Sequence, residues 1–112
     1  MIYIANAFSV QMLDRDSCPD LGRPVEFVPC SASFAREHLD EEGPWVGAIG
    51  HADTAAIAAG QLGLQPEQVF GRVSVSFKDG DTLLLAQYRG PRLPEGSTTL
   101  PEGAKIEWWL VQ

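Results

Sequence analysis

Residues 48–63 read Ala-Ile-Gly-His-Ala-Asp-Thr-Ala-Ala-Ile-Ala-Ala-Gly-Gln-Leu-Gly, and the rest of the chain is organised around them. Trp45 to Ile49, just before, has the apolar content of a short buried strand, and Gly50 permits a close turn out of it. The alanine-rich run predicts a helix that starts at His51 or Ala52 and ends near Gly60 or Gly63. Thr54, Ala55, Ala58, Ala59 and Leu62 recur on one side of it, with Ile57 facing elsewhere. His51 falls on the side of Thr54 and Ala55, which directs its ring toward a packed surface. The first-turn N–H groups of a helix have no internal partner and can hold an anion. A histidine beside such a site can move protons near neutral pH. The plainer alternative is that His51 caps or packs against its own helix. Asp53 in the first turn suits the helix dipole and needs no catalytic explanation.

Working outward, Met1 to Ala5 reads as a strand ended by Asn6-Ala7-Phe8-Ser9. Asn6 and Ser9 there either satisfy turn backbone or present short donors to a ligand at the sheet edge. Val10 to Leu13 suits a brief helical turn, and Asp14 to Pro24 an exposed polar connection. Val25 to Val28 is a short strand that Pro29 stops. Ser31 or Ser33 then caps a helix running to Leu39 or Glu42.

Beyond the central helix, Gln65 to Phe70 suits a short helical turn with Pro66 in its first turn. Arg72 to Phe77 alternates like a strand, and Lys78 to Asp81 is a hairpin-type turn into a further strand, Thr82 to Tyr88. The Leu83-Leu84-Leu85-Ala86 run implies cover on both faces. Residues 89–104 lack periodicity, and Lys105 to Gln112 is the last strand. Trp109 on its second face implies cover there by a helix or a partner chain. Interleaved strands and helices followed by a hairpin predict an α/β (α+β-like) fold. It is a single compact domain over residues 1–112, with a mixed β-sheet of about five strands flanked by helices.

Composition narrows the function classes. The 112 residues are 45% apolar and 21% charged, as in an ordinary folded domain. No apolar run approaches the roughly 20 residues of a membrane span, and the N-terminus does not read as a signal peptide. Cys18 and Cys30 form neither a metal-ligand spacing nor a CxxC pair, so reduced thiols in a cytoplasm are the simplest account. No metal or cofactor motif is present. The net charge is −7, and all of it sits in residues 1–71, with ten acids against three bases. Residues 72–112 balance at five of each. Duplex DNA, which needs an extended basic face, is a poor partner, whereas a small anionic ligand needs only one local basic site.

Such a site is offered by Arg89-Gly90-Pro91-Arg92-Leu93-Pro94-Glu95-Gly96, directly beyond the buried strand. Guanidinium matches two phosphate oxygens at once, and the prolines limit the loop's freedom before binding. Glu95 can orient Arg92, hold a hydroxyl or accept a proton. Equally, these are solvated loop charges on a Pro-Gly turn. A second Leu-Pro-Glu-Gly at 100–103 has no neighbouring arginine and reads as a turn alone. Were His51 and the 89–96 loop to meet, they would form a site for phosphodiester cleavage in RNA. The ribose 2′-hydroxyl attacks phosphorus, arginine balances the phosphoryl oxygens, and protonated histidine donates to the leaving 5′-oxygen.

Three motifs occur in register: Asn6-Ala7-Phe8-Ser9, Ala48-Ile49-Gly50-His51 with Thr54-Ala55, and Arg92-Leu93-Pro94-Glu95-Gly96. In this combination the chain resembles the viral ring nucleases, anti-CRISPR proteins directed against type III systems, and their relatives in bacteria and phages. The resemblance implies a metal-independent ring nuclease without a cofactor, whose substrate is cyclic tetra-adenylate. It assigns His51 as general acid, with Arg92 and Glu95 as the other catalytic residues. Asn6 and Ser9 become ligand contacts, to which we add Gly50, Thr54 and Arg89. It also implies a homodimer that binds one ring across its two-fold axis and works in the cytoplasm of a bacterial or virus-infected cell. The 14–24 insert, Arg89 and the second Pro-Glu-Gly turn are not parts of the motif.

Two other readings stay open. One is a non-catalytic protein that binds cyclic oligoadenylate or another nucleotide. The other is a small structural or regulatory protein that dimerises through the Trp108 and Trp109 region.

Overall fold

The computed structural model describes residues 1–13 and 24–112. The expected connection at 14–24 lies, Pro24 apart, outside the described residues, as does Cys18.

In chain order the strands are β1 (Ile2–Ala5), β2 (Phe27–Cys30), β3 (Trp45–Gly47), β4 (Thr82–Arg89) and β5 (Lys105–Val111). The helices are α1 (Ala32–Glu42) and α2 (Ala52–Leu62). Strand β1 lies between β3 and β4 and runs parallel to both, with Ile2 opposite Trp45 on one side and Thr82 on the other. Strand β5 pairs antiparallel with β4 and with β2, giving the order β2-β5-β4-β1-β3. This is a single α+β domain built on a five-stranded mixed sheet, with β4 at its centre. Thr82 to Ala86 of β4 are all buried, as their unbroken apolar run predicts.

Alternation along the strands sorts side chains into two cores. Ile2, Ile4, Leu84, Ala86, Ile106 and Trp108 face both helices. Ala55, Ala58 and Ala59 of α2 are fully buried there, small enough to let the helix lie close on the sheet. Ile57 is also buried in this core, at 4% exposure. It lies off the Thr54–Leu62 stripe and is still buried because α2 packs on α1 as well as on the sheet, so the buried arc is wider than one stripe. The opposite face carries Ala5, Leu83, Leu85 and Val111, against which Phe77, Phe8, Met12, Val25 and Trp109 pack. Trp109 thus packs against this second core, on the face of the sheet away from α1 and α2. Trp108 is 4% exposed and donates its indole N–H to Gln61 Oε1 at 2.8 Å, so it is core rather than a free dimerisation surface.

Local signals account for the helix ends. Ser31 Oγ accepts from Phe34 N at 3.0 Å and caps α1. Gly63, with φ 69°, closes α2 in the left-handed conformation that glycine adopts at least cost.

Three strand expectations need correction. Pro29 does not stop β2: it lies within the strand, opposite Trp109, because β2 is an edge strand whose outer side needs no donor. Strand β3 ends at Gly47, and Ile49 makes only an isolated bridge to Phe70. Arg72 to Phe77 forms no named strand, and among the described residues its pairing is one bridge, Phe77 with Leu13. The turn at 78–81 does form, with Asp81 N donating to Lys78 O at 3.0 Å. It does not make a hairpin, because both edges of β4 are taken by β1 and β5.

Candidate active site

His51 occupies the N-cap position of α2 with extended backbone, φ −107° and ψ 117°. Its carbonyl accepts from Ala55 N at 2.9 Å, but its side chain makes no cap hydrogen bond. The ring is exposed rather than packed, because an N-cap side chain leaves the helix axis before the buried arc begins. This removes the plainer reading of His51 as a side-chain cap.

The loop after β4 is fastened at several points. The Tyr88 hydroxyl donates to the Pro91 carbonyl. Leu93 and Leu100 pack against the helix-side core. Pro94 to Ser97 is a turn closed by Ser97 N donating to Pro94 O at 3.1 Å, with Gly96 at φ 82°. Pro101 to Ala104 repeats it, closed at 3.0 Å with Gly103 at φ 80°. In the first turn, Gly96 N also donates to Asp53 Oδ2 at 3.1 Å. The loop is thereby tied to the first turn of α2, beside His51.

Between these elements lies an open cleft of about 1040 Å³. Asn6 reaches it from the end of β1, His51, Asp53 and Thr54 from α2, and Tyr88, Arg92 and Glu95 from β4 and its loop. His51, Arg92 and Glu95 thus share one cavity, with Asn6 and Thr54 on its wall. An imidazole, a guanidinium and helix N–H groups suit a phosphate, while two carboxylates keep the local charge mixed.

The other expected contacts fall elsewhere. Arg89 lies outside the cleft's lining and is ion-paired with Glu107. The Gly50 carbonyl accepts from Arg72 Nε at 3.2 Å. Ser9 Oγ accepts from Gln11 N at 3.2 Å and borders a neighbouring cavity that shares Asn6 with the cleft. Sequence reasoning missed the fastening role of Asp53, legible only as a dipole partner, and that of Tyr88, which no local pattern marks. Away from the cleft, burial, with Asp81 adding to it, pushes the Tyr3 hydroxyl above its ordinary range, and burial raises the Cys30 thiol. Among the described residues no group of three or more His, Cys, Asp or Glu is placed to hold a metal ion, and no helix is long and apolar enough to cross a membrane.

Fold and site together define a small α+β protein with an open, mixed-charge cleft between a helix start and an arginine-bearing loop. The chain belongs to the STIV B116-like family, whose model matches residues 2–109. It is similar in structure to B116 of Sulfolobus turreted icosahedral virus, with 25% identity and a TM-score of 0.73, over 98% of this chain and 97% of that one. No curated protein matches.

Proposed function

We propose that the protein is a ring nuclease that cleaves cyclic tetra-adenylate, the messenger of type III CRISPR systems. The observation that carries this reading is the shared cleft: His51, Arg92 and Glu95, far apart in sequence, line one cavity together with Asn6 and Thr54. The ribose 2′-hydroxyl attacks its adjacent phosphorus, forming the 2′,3′-cyclic phosphate and breaking the bond to the 5′-oxygen. His51, protonated, donates to that leaving oxygen. Arg92 and the first-turn N–H groups of α2 balance charge on the non-bridging oxygens. Glu95 aligns the attacking hydroxyl or orients Arg92, and the hydroxyl proton passes to it or to water. No step calls for a metal. A homodimer suits a four-fold ring, since two-fold symmetry presents His51 to two opposite phosphates. Cutting both leaves two linear di-adenylates, and loss of the messenger silences the ribonucleases that it activates in the cytoplasm.

The test is incubation with cyclic tetra-adenylate in EDTA, with products separated by chromatography, beside His51→Ala and Arg92→Ala. Di-adenylate ending in a cyclic phosphate, lost in the His51 variant, is the expected result. An intact ring that co-elutes with the protein would make it a messenger sponge. An intact ring that does not bind would end both nucleotide readings.

A further inference from the structure

Strand β5 outruns its neighbour β2. Glu26 and Gln112 exchange both backbone hydrogen bonds, at 2.9 and 3.1 Å. In an antiparallel ladder this turns the N–H and C=O of every second residue toward β2, namely Leu110, Trp108 and Ile106. The register pairs Val28 with Leu110 and Cys30 with Trp108. The next partner of this kind would be Ala32 opposite Ile106, but α1 begins at Ala32. Among the described residues no strand takes up the Ile106 N–H and C=O on that side. A cavity of about 290 Å³ opens there, with Cys30, Ala32, Gln61, Ile106, Glu107 and Trp109 in its walls. Two buried wall atoms make no hydrogen bond: the Trp109 indole nitrogen, and Glu107 Oε1, which is in ion contact with Arg89.

An unpaired strand edge takes an extended chain, whose C=O and N–H complete the ladder. The volume stands just below the range of small-ligand pockets, so the occupant is a short segment and not a whole strand. Strand parity sets its side chains. The residue opposite Ile106 points to the helix side, toward Ala32 and Gln61, where a small apolar group fits. Its neighbours point to the other face, where Glu107 stands. A carboxylate has lone pairs for Arg89 and for a second cation, and the chain's net charge of −7 favours a basic partner. We propose that this notch docks a short, extended, basic segment of a partner protein, added to β5 beside Ile106. The site stands apart from the nucleotide reading, since it shares no residue with the cleft.

The test titrates acetyl-Lys-Val-Lys-amide into the isotope-labelled full chain and follows it by NMR. Two further peptides run beside it, one with both lysines replaced by glutamate and one N-methylated at the valine. Saturable shifts of the Ile106 amide and the Trp109 indole N–H are expected with the lysine peptide. Methylation removes the donor that meets the Ile106 carbonyl, and should weaken binding by about tenfold, the upper end for one hydrogen bond. Glu107→Gln should weaken the lysine peptide by about two- to fivefold, as for one ion pair near the surface, and narrow its preference over the glutamate peptide. Circular dichroism checks that this variant folds, and the methylated peptide tests the edge without altering the protein. Unshifted Ile106 and Trp109 signals, or equal binding of the methylated peptide, would overturn the docking site. Shifts at Ile106 on raising the protein concentration alone would show a second copy in the notch, and would overturn it too.

Discussion

Asp53 Oδ2 accepts the backbone N–H of Gly96 at 3.1 Å, across a sequence separation of 43 residues. The bond joins the first turn of α2 to the turn that carries Glu95, with Arg92 four residues upstream of Gly96. His51 stands two residues before Asp53, so this carboxylate helps to hold the His51 end of α2 against the loop. Asp53 is thus a positioning residue. A carboxylate accepting from a backbone amide makes a charge-assisted bond, stronger than its neutral counterpart.

Asp53→Ala removes one of the ties on the loop and, on the proposed nuclease reading, should lower kcat by about tenfold, the order expected for misplaced but intact catalytic groups. Asp53→Asn keeps an acceptor oxygen and should recover most of the rate. A merely structural role would instead lower the melting temperature equally in both variants and leave kcat alone. Kinetics and thermal denaturation of the pair distinguish the two.

Arg89 and Arg92 flank one Gly-Pro pair but have different surroundings. Arg92 faces the cleft, whereas Arg89 is ion-paired with Glu107 on the neighbouring strand, its side chain 57% exposed. Arg92→Ala should abolish ring binding or cleavage. Arg89→Ala should cost no more than about 1 kcal/mol of stability, the usual range for an exposed pair, and change cleavage far less. Equal losses in the two variants would put Arg89 back at the ligand.

Much of the fold was legible because its signals are local. Ser31 and Gly63 mark helix ends through one hydrogen bond and one left-handed residue, and the β4 run announces a central strand. Pairing was not legible. Arg72 to Phe77 has the period of a strand, but whether it joins the sheet depends on β1, which lies far back in the chain and already holds that edge of β4. Pro29 misleads for a related reason, since a missing donor matters only where a neighbour needs it, and among the described residues β2 has no strand on its outer side. At the site, residue types left His51, Arg92 and Glu95 open between a chemical and a plain structural role, and the family resemblance singled them out. That they line one cleft is a tertiary outcome, like the Asp53–Gly96 bond across 43 residues, and no local pattern announces either.

Cys30 tests the electrostatics away from the cleft. Burial raises its thiol pKa, so at neutral pH a smaller fraction is thiolate than in a free thiol. In a Cys18→Ser background, alkylation of Cys30 by iodoacetamide should be slower than that of glutathione at pH 7.5. The rate should rise with pH and reach its midpoint above that of the free thiol. A midpoint below it would show that an unrecognised positive group offsets the desolvation.

The backbone that delivers His51 to the cleft is itself constrained at Gly47 and Gly71. A Cβ on Gly47 would stand 2.6 Å from the carbonyl carbon and oxygen of Val69, and one on Gly71 would overlap the Gly47 carbonyl oxygen. Neither glycine has positive φ, so the requirement is contact between backbones rather than conformation. Ile49 N donating to Val69 O at 3.3 Å and Gly71 N donating to Ile49 O at 3.1 Å hold the two segments at that distance. Gly71→Ala must force them apart and should lower stability by about 1–3 kcal/mol, as overpacking does. It should also weaken cleavage, because Ile49 sits two residues before His51. Gly60, within α2, has nothing within 4 Å of its would-be Cβ. Gly60→Ala should therefore stabilise by about 0.5–1 kcal/mol through helix propensity. Urea denaturation of the two variants gives shifts of opposite sign if the crossing is as close as described, and a harmless Gly71→Ala would show that the segments can separate freely.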